Sequence, residues 1–360
     1  MLKVAIRPQW DLRHSDGRQL VPRLIELLVA VDECGQLAAA CERVDLSYRY
    51  AWGMLKQAER DFGAPLLATV RGRGAKLSPL GEKLVWADRR VTARLSPFLD
   101  SLASELEVEV ERALTEARPI LRMQATHGFA VETMRRFLVE EGVPLDLKYR
   151  ASREVLAALH AGGCDLAGLH VAQGELQEKV IAHYAGMLDP SRQYVIDLAT
   201  RRLGLIVAPD NPRRILHVRD LAQPGVRFVN REPESGTRLV LDLLLQAEGV
   251  RGESILGYDE IEFTHAAVAA YVASGMADAG LGLETPARRF SLGFVPVVTE
   301  RYFFLCDEDT LDSPRVQHVI GLMQSDAFKA SVGSLPGYDA SRAGMAQPVG
   351  EAFPSLTQHR

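Results

Sequence analysis

Two groups of residues in this chain have the types and spacing to do chemistry. Ser47, Tyr48, Arg49 and Tyr50, with Lys56 farther along, put hydroxyl, guanidinium and ammonium donors on one short segment, and Arg71-Gly72-Arg73 adds two more guanidinium groups. Such donors bond phosphate oxygens, and an arginine can bond a guanine edge bidentately. The second group is Thr126-His127, Ser152-Arg153, His170, Arg231, Ser235-Gly236-Thr237-Arg238 and Thr264-His265. Hydroxyls and arginines of this kind suit a small anion, with Arg231 as the best charged clamp. Catalytic and metal chemistry are not indicated. Cys34, Cys41, Cys164 and Cys306 show no CxxC and no histidine at ligand spacing, so they read as buried thiols. There is no P-loop, Gly280-Leu281-Gly282 lacks a third glycine at the right spacing, and no nucleophile triad can be read. A cofactor-free protein that is not an enzyme is expected.

The chain has 42 basic and 47 acidic residues, a net charge of −5, and is 47% hydrophobic. That composition describes two or three globular domains and excludes disordered, collagenous and coiled-coil classes. No stretch of apolar residues is long enough to span a membrane and no secretory signal opens the chain, so a cytoplasmic protein without a membrane partner is expected. The net charge hides a split: residues 1–94 hold 16 basic and 11 acidic residues, while the remainder holds 26 and 36. A basic module fused to a larger acidic one points to a polyanion partner at one end.

The first group needs a positioning scaffold, and the flanking sequence supplies one. Lys3 to Trp10 and Leu12 to His14 flank Ser15-Asp16-Gly17, whose Asp-Gly step predicts a β-ribbon. Val21-Pro22 opens a helix in which Leu24, Ile25, Leu28 and Val31 recur at helical spacing, ending near Cys34-Gly35. Gln36 to Arg43 forms a second helix, and Ser47 is the N-cap of a third running to about Asp61. This is a helix-turn-helix whose second helix enters the major groove with Ser47 to Tyr50 leading. Trp52 is read as core, on the inward stripe beside Leu55. Strands at Pro65 to Val70 and Ala75 to Leu77, joined by Arg71-Gly72-Arg73-Gly74, form a wing that reaches phosphates or a narrow minor groove. Pro79 to about Leu114 is one long amphipathic helix with Leu84, Val85, Val91, Leu95, Phe98, Leu99, Leu102 and Leu106 on its stripe, suited to dimerisation. Pro97 predicts a kink or break near Ser96.

The order Gly35-Gln36-Leu37-Ala38-Ala39-Ala40, Leu46-Ser47-Tyr48-Arg49-Tyr50-Ala51-Trp52, Gly63-Ala64-Pro65-Leu66-Leu67, the Arg-Gly wing and Leu77-Ser78-Pro79-Leu80-Gly81 resembles the DNA-binding domain of ModE-type molybdate-responsive regulators and, more broadly, LysR-type regulators. The likeness covers roughly the first 115 residues, and the Ser-Tyr-basic-x-Ala-Trp element is more particular to the ModE side. It implies that Ser47, Tyr48 and Arg49 begin the recognition helix. The chain does not continue with the small paired modules that bind molybdate in ModE itself.

The second group belongs to a different domain. Strands at Ile120 to Ala125, Leu145 to Tyr149 and Asp165 to Val171 alternate with a helix at Phe129 to Glu141 and one that Ser152 caps, predicting βαβαβ and a parallel sheet. Leu203 to Ala208 and Val226 to Val229 begin a second set, and Ser235-Gly236-Thr237-Arg238 opens a helix. Two α/β lobes facing one cleft result. Thr126, Ser152, Ser235 with Thr237, and Thr264 each fall where strand gives way to helix, so hydroxyls and free N–H groups converge there as an oxyanion site.

Asp165 to His170, Gly204 to Pro212, Arg227 to Arg231, Ser235 to Arg238 and Ala277 to Gly282 resemble the periplasmic-binding-protein-like effector domain of molybdenum-related regulators and biosynthesis proteins, over about Pro119 to Pro336. The expected organisation is a winged helix-turn-helix head at 1–78, a linker helix at 79–118, a two-lobed α/β type 2 effector domain at 119–340 and a C-terminal tail at 341–360. The expected function is a ligand-responsive transcription regulator. Its expected partners are double-stranded DNA, a second copy or three further copies of itself, RNA polymerase and a small anionic effector. The resemblance implies molybdate or tungstate as effector, with a small carboxylate such as formate as the alternative. A cytoplasmic enzyme or ligand-binding protein on the same fold is the reading from a different class.

Overall fold

The computed structural model describes residues 3–13, 21, 23–70, 74–114 and 120–357. It divides into two compact units, one of Arg7–Ala93 and one of Met1–Ile6 with Arg94–Arg360.

In the smaller unit α1 (Leu24–Cys34), α2 (Leu37–Arg43) and α3 (Tyr48–Phe62) pack around Leu27, Leu28, Val31, Ala40, Leu55 and Ala58. Gly35 stops α1 with φ +67, a conformation costly for any residue with a Cβ, and its N–H caps Val31 O. Ser47 caps α3 by accepting the Tyr50 N–H at 3.2 Å. β1 (Leu67–Val70) and β2 (Gly74–Leu77) pair antiparallel, Leu67 opposite Leu77. The wing tip, Arg71 to Arg73, lies outside the described residues.

Three local expectations are corrected. Residues 3–13 form no strand beyond a single bridge residue at Arg13, and residues 14–20 of the expected ribbon lie outside the described residues. The Trp10 indole N–H instead donates to Asp88 Oδ1 at 2.9 Å. Trp52 is not core but 45% exposed. The buried stripe of α3 is Ala51, Met54, Leu55 and Ala58, and at about 100° per residue Trp52 lies a quarter turn off it. Finally, of the kink or break expected near Ser96 the break is absent, since α4 (Pro79–Leu114) runs through Pro97 as one helix. A proline removes one intrahelical hydrogen bond, while the hydroxyls of Ser101 and Ser104 tie the following turns to the larger unit's sheet.

That unit holds β3 (Leu121–Ala125), α5 (Phe129–Glu140), β4 (Leu145–Tyr149), α6 (Ser152–His160), β5 (Leu166–Ala172), α7 (Gln177–Tyr184) and the long β6 (Gln193–Val207). There follow β7 (Phe228–Arg231), α8 (Gly236–Ala247), β8 (Ile261–Glu262), α9 (His265–Ala273), β9 (Ala279–Leu283), α10 (Glu284–Arg289) and the equally long β10 (Gly293–Asp307). The sheet order is β4-β3-β5-β10-β6-β9-β7-β8. β3 pairs parallel with β4 and β5, and β7 with β8 and β9, as βαβ units require. β6 and β10 pair antiparallel through both halves and so join the two lobes. After α11 (Glu308–Leu311), α12 (Pro314–Gln324) and α13 (Asp326–Gly333), β11 (Tyr338–Asp339) and β12 (Ala346–Pro348) pair with β6. Residues 341–357 of the segment expected as a tail are thus part of the fold, with Val349 and Phe353 buried, and 358–360 lie outside the described residues.

Candidate functional site

On the head, Ser47, Tyr48, Arg49, Tyr50 and Lys56 are all exposed along α3. Tyr48 and Trp52 stack with ring centroids 6.4 Å apart, and Lys56 Nζ lies over the Trp52 ring 4.9 Å from its centroid while pairing with Glu59 at 2.6 Å. Exposed cations and hydroxyls at the leading end of a helix can bond phosphates and base edges. Arg71 and Arg73 cannot be placed with them because they fall outside the described residues.

In the larger unit a cavity of about 360 Å³ opens where strands give way to helices. Thr126 and His127 line it after β3, Tyr149 to Ser152 after β4, His170 from β5, Arg231 and Glu232 at the end of β7, Ser235 and Gly236 at the start of α8, and Phe263 and His265 before and in α9. The helices α5, α6, α8 and α9 therefore begin at its wall, where their first N–H groups lack intrahelical acceptors. Arg231 is nearly buried; Nε donates to Glu262 O at 3.1 Å and Nη2 to Phe263 O at 2.8 Å. Burial lowers its guanidinium to about 10, which leaves it charged at neutral pH.

Strand register builds the floor. Glu300 on β10 stands opposite Arg201 on β6, and Tyr302 opposite His170 on β5. Since side chains two apart on a strand share a face, Glu300 receives Arg201 Nε at 2.8 Å and has His170 Nδ1 at 3.1 Å. Burial alone would raise the Glu300 carboxyl, but His170 and Arg201 outweigh it and hold the group at about 2. Burial lowers His170 below its ordinary value against the pull of Glu300, and lowers His265 far below it with the help of Arg231 and Arg201. Tyr302 donates its hydroxyl to Thr126 O at 2.7 Å and accepts from Thr126 Oγ1 at 3.1 Å.

Of the residues expected to meet, Thr126, His127, Ser152, His170, Arg231, Ser235, Gly236 and His265 line this cavity, whereas Arg153, Thr237, Arg238 and Thr264 are not among its lining residues. Arg153 is exposed with Nη1 3.2 Å from His183 Nε2. Arg238 pairs with Asp242 at 3.0 Å over the Tyr258 ring. Neighbours on a helix diverge by about 100°, so Ser152 and Arg153 cannot face one space. Thr264 is spent as the cap of α9, accepting Ala267 N–H at 2.9 Å. Ser152 is not the expected cap: Ala151 occupies that position and donates its N–H to Glu154 Oε2 at 3.1 Å. Sequence reasoning missed the α4 wall of Arg94, Pro97, Phe98, Ser101, Leu102 and Glu105, and the Arg201–Glu300 pair beneath. A charged pair inside apolar strands was the signal available for the second.

The PBP superfamily domain description matches residues 135–324, and the description "Bacterial regulatory helix-turn-helix protein, lysR family" matches residues 22–82. This chain belongs to the PBP superfamily and carries a LysR-type head. The regulator is 29% identical over 244 residues to the uncharacterized protein YvgK of Bacillus subtilis (strain 168), covering 67% of this chain and 78% of that one. It is 31% identical over 121 residues to the molybdenum-pterin-binding protein MopB of Rhodobacter capsulatus, covering 32% and 43%. Among solved structures, a hydrogen-peroxide-bound Corynebacterium glutamicum OxyR mutant aligns with a TM-score of 0.44 and 16% identity over 86% of this chain and 95% of that one. A lysR-family helix-turn-helix head joined to a PBP-superfamily domain is the make-up of a DNA-binding regulator. Among the described residues no helix is long and apolar enough to cross a membrane and no group of side chains is placed to hold a metal ion.

Proposed function

We propose that this regulator reads duplex DNA with Ser47, Tyr48, Arg49, Tyr50 and Lys56 on α3, with Arg71 and Arg73 of the wing reaching phosphate, and that its effector is a small anion held by Arg231. The carrying observation is that a nearly buried, charged Arg231 faces a cavity where helix N-termini meet Ser152, Ser235 and Thr126. A tetrahedral oxyanion such as molybdate or tungstate suits that donor set, and the likeness to the molybdenum-pterin-binding MopB supports it. A small carboxylate such as formate is the second reading, favoured by the apolar side made by Phe98, Leu102 and Phe263. Leu95, Phe98, Leu102 and Leu106 stand exposed on α4 and support assembly as a dimer or tetramer. Effector would then act through its differential affinity for two arrangements of the lobes, biasing contacts with DNA and RNA polymerase.

Calorimetry against molybdate, tungstate and formate tests the site. Arg231→Ala should abolish the melting shift that the effector produces relative to each protein's own ligand-free state. An unchanged shift would remove Arg231 from the site. On DNA, Arg49→Ala should relax sequence preference, whereas Arg71→Ala should weaken all sequences alike; identical profiles would reject α3 as the reading helix.

A further inference from the structure

His170 faces the cavity and is 6% exposed. Its Nδ1 lies 3.1 Å from Oε1 of the fully enclosed Glu300, whose Oε2 takes the Arg201 Nε–H at 2.8 Å. Glu300 is the counter-charge of a buried guanidinium, so it is held ionised, and an ionised carboxylate only accepts. Nδ1 must then carry the ring proton. In a neutral imidazole that leaves Nε2 with a lone pair and nothing to donate. Among the described residues no hydrogen-bond partner reaches Nε2. Gly236, at the N-terminus of α8, packs against the same edge: a Cβ there would lie 2.8 Å from Cε1 and 3.3 Å from Nε2, so the glycine keeps that nitrogen accessible.

A second proton on the ring finds little support. The groups around it are Glu300 and Tyr302 on β10, Arg201 on β6, Arg231 at the end of β7 and His265 on α9. Glu300 is the one anion of this set, and Arg201 already matches it. Burial disfavours the imidazolium, and the two guanidinium charges add to that against the pull of Glu300.

We infer that the occupant of this cavity presents an O–H or N–H to His170 Nε2 beside the negative charge it presents to Arg231, so that the site selects hydroxylated acids and protonated oxyanions over fully ionised tetrahedral dianions. The inference rests on the anion reading above and sharpens it. A bare oxyanion oxygen set against this lone pair repels it and leaves a buried acceptor unmet, whereas a donor meets it. Hydrogen phosphate and sulfate differ by one proton at similar size; glycolate and acetate differ by one hydroxyl. Molybdate, a dianion at neutral pH, would enter only with a proton taken from solvent.

Titration calorimetry of the full-length protein at about pH 7.5 should show hydrogen phosphate over sulfate, and glycolate over acetate, by about 10- to 100-fold. Molybdate should take up about one proton per site, read from the dependence of the binding heat on buffer ionisation enthalpy. His170→Leu keeps the bulk and removes the lone pair, and should bring each pair within about threefold of each other. Should that variant fail to fold, the wild-type ratios and the proton count decide alone. Sulfate binding as tightly as hydrogen phosphate, or molybdate binding without proton uptake, overturns the inference while leaving an anion site in place. Failure of every one of these anions to bind removes the anion reading itself, and this inference with it.

Discussion

Ser104→Ala should destabilise the larger unit out of proportion to the single oxygen it deletes. β4 is the edge of the sheet, and an edge strand leaves backbone N–H and C=O groups without strand partners. Ser104, 1% exposed on α4, covers two of them: its Oγ donates to Leu145 O at 2.9 Å and accepts from Leu147 N at 2.8 Å. Alanine leaves one donor and one acceptor buried without partners, at about 1–3 kcal/mol each. Partial relaxation of the helix against the strand places the total at about 2–4 kcal/mol. For a domain of this size each kcal/mol lowers Tm by about 2–4 °C, so a fall of about 4–16 °C is expected. Scanning calorimetry reads it, and hydrogen exchange at the Leu147 amide should accelerate in parallel. Ser101→Ala uncovers one strand group, the Tyr149 N–H held at 3.0 Å, and withdraws the hydroxyl that Pro97 O accepts at 2.8 Å within α4; with one strand group lost instead of two it should cost about half as much. A Tm for Ser104→Ala within about 1 °C of wild type, with unchanged exchange at Leu147, would refute the claim that hydroxyls from α4 complete this edge.

Three further outcomes are expected. Trp52→Ala should change the denaturation midpoint by less than about 1 kcal/mol equivalent, because the ring is largely in solvent; a loss above about 3 kcal/mol would return it to the core. Stability should fall as pH drops below the ordinary imidazole value of 6.5, since His170 and His265 are held neutral in the fold while the unfolded chain takes up protons. The Glu300 contribution has the carboxylate sign: it is full above 4.5 and lost as pH falls toward about 2. Urea midpoints that stay flat between about pH 7.5 and 5 would contradict the neutral-histidine assignment. Operator binding measured by anisotropy should weaken steeply with salt, the log–log slope losing about 0.9 per phosphate contact; a flat response would sever the basic head from its role.

Much of the architecture was legible because it is written locally. Helical spacing and caps marked α1 and α3, with Gly35 ending the first and Ser47 opening the second. The strand at Leu145–Tyr149 and the 36-residue α4 stand where pattern alone put them. The strand-to-helix steps at Ser235 and Thr264 were legible for the same reason, and there the two side chains cap α8 and α9. Trp52 misled because Leu55, one turn along, is buried, while Trp52 itself points away from the Ala51–Met54–Leu55–Ala58 stripe, a direction set by which neighbours cover the helix. A break at Pro97 did not follow because the loss of one bond is local while the serine contacts that hold the helix beyond it reach a distant strand.

By itself, then, the order of residues determined which segments become helix or strand, the basic bias of the head and the collection of hydroxyls at strand ends, since each depends on neighbours a few positions apart. Which hydroxyls and cations share a cavity was decided only by tertiary structure. Arg153 and Ser152 are adjacent yet face apart, while His170, Arg201 and Glu300 are far apart in the chain yet meet. Helix rotation sets the first and cross-strand register the second, and register is fixed by burial of the whole sheet rather than by any short run of sequence.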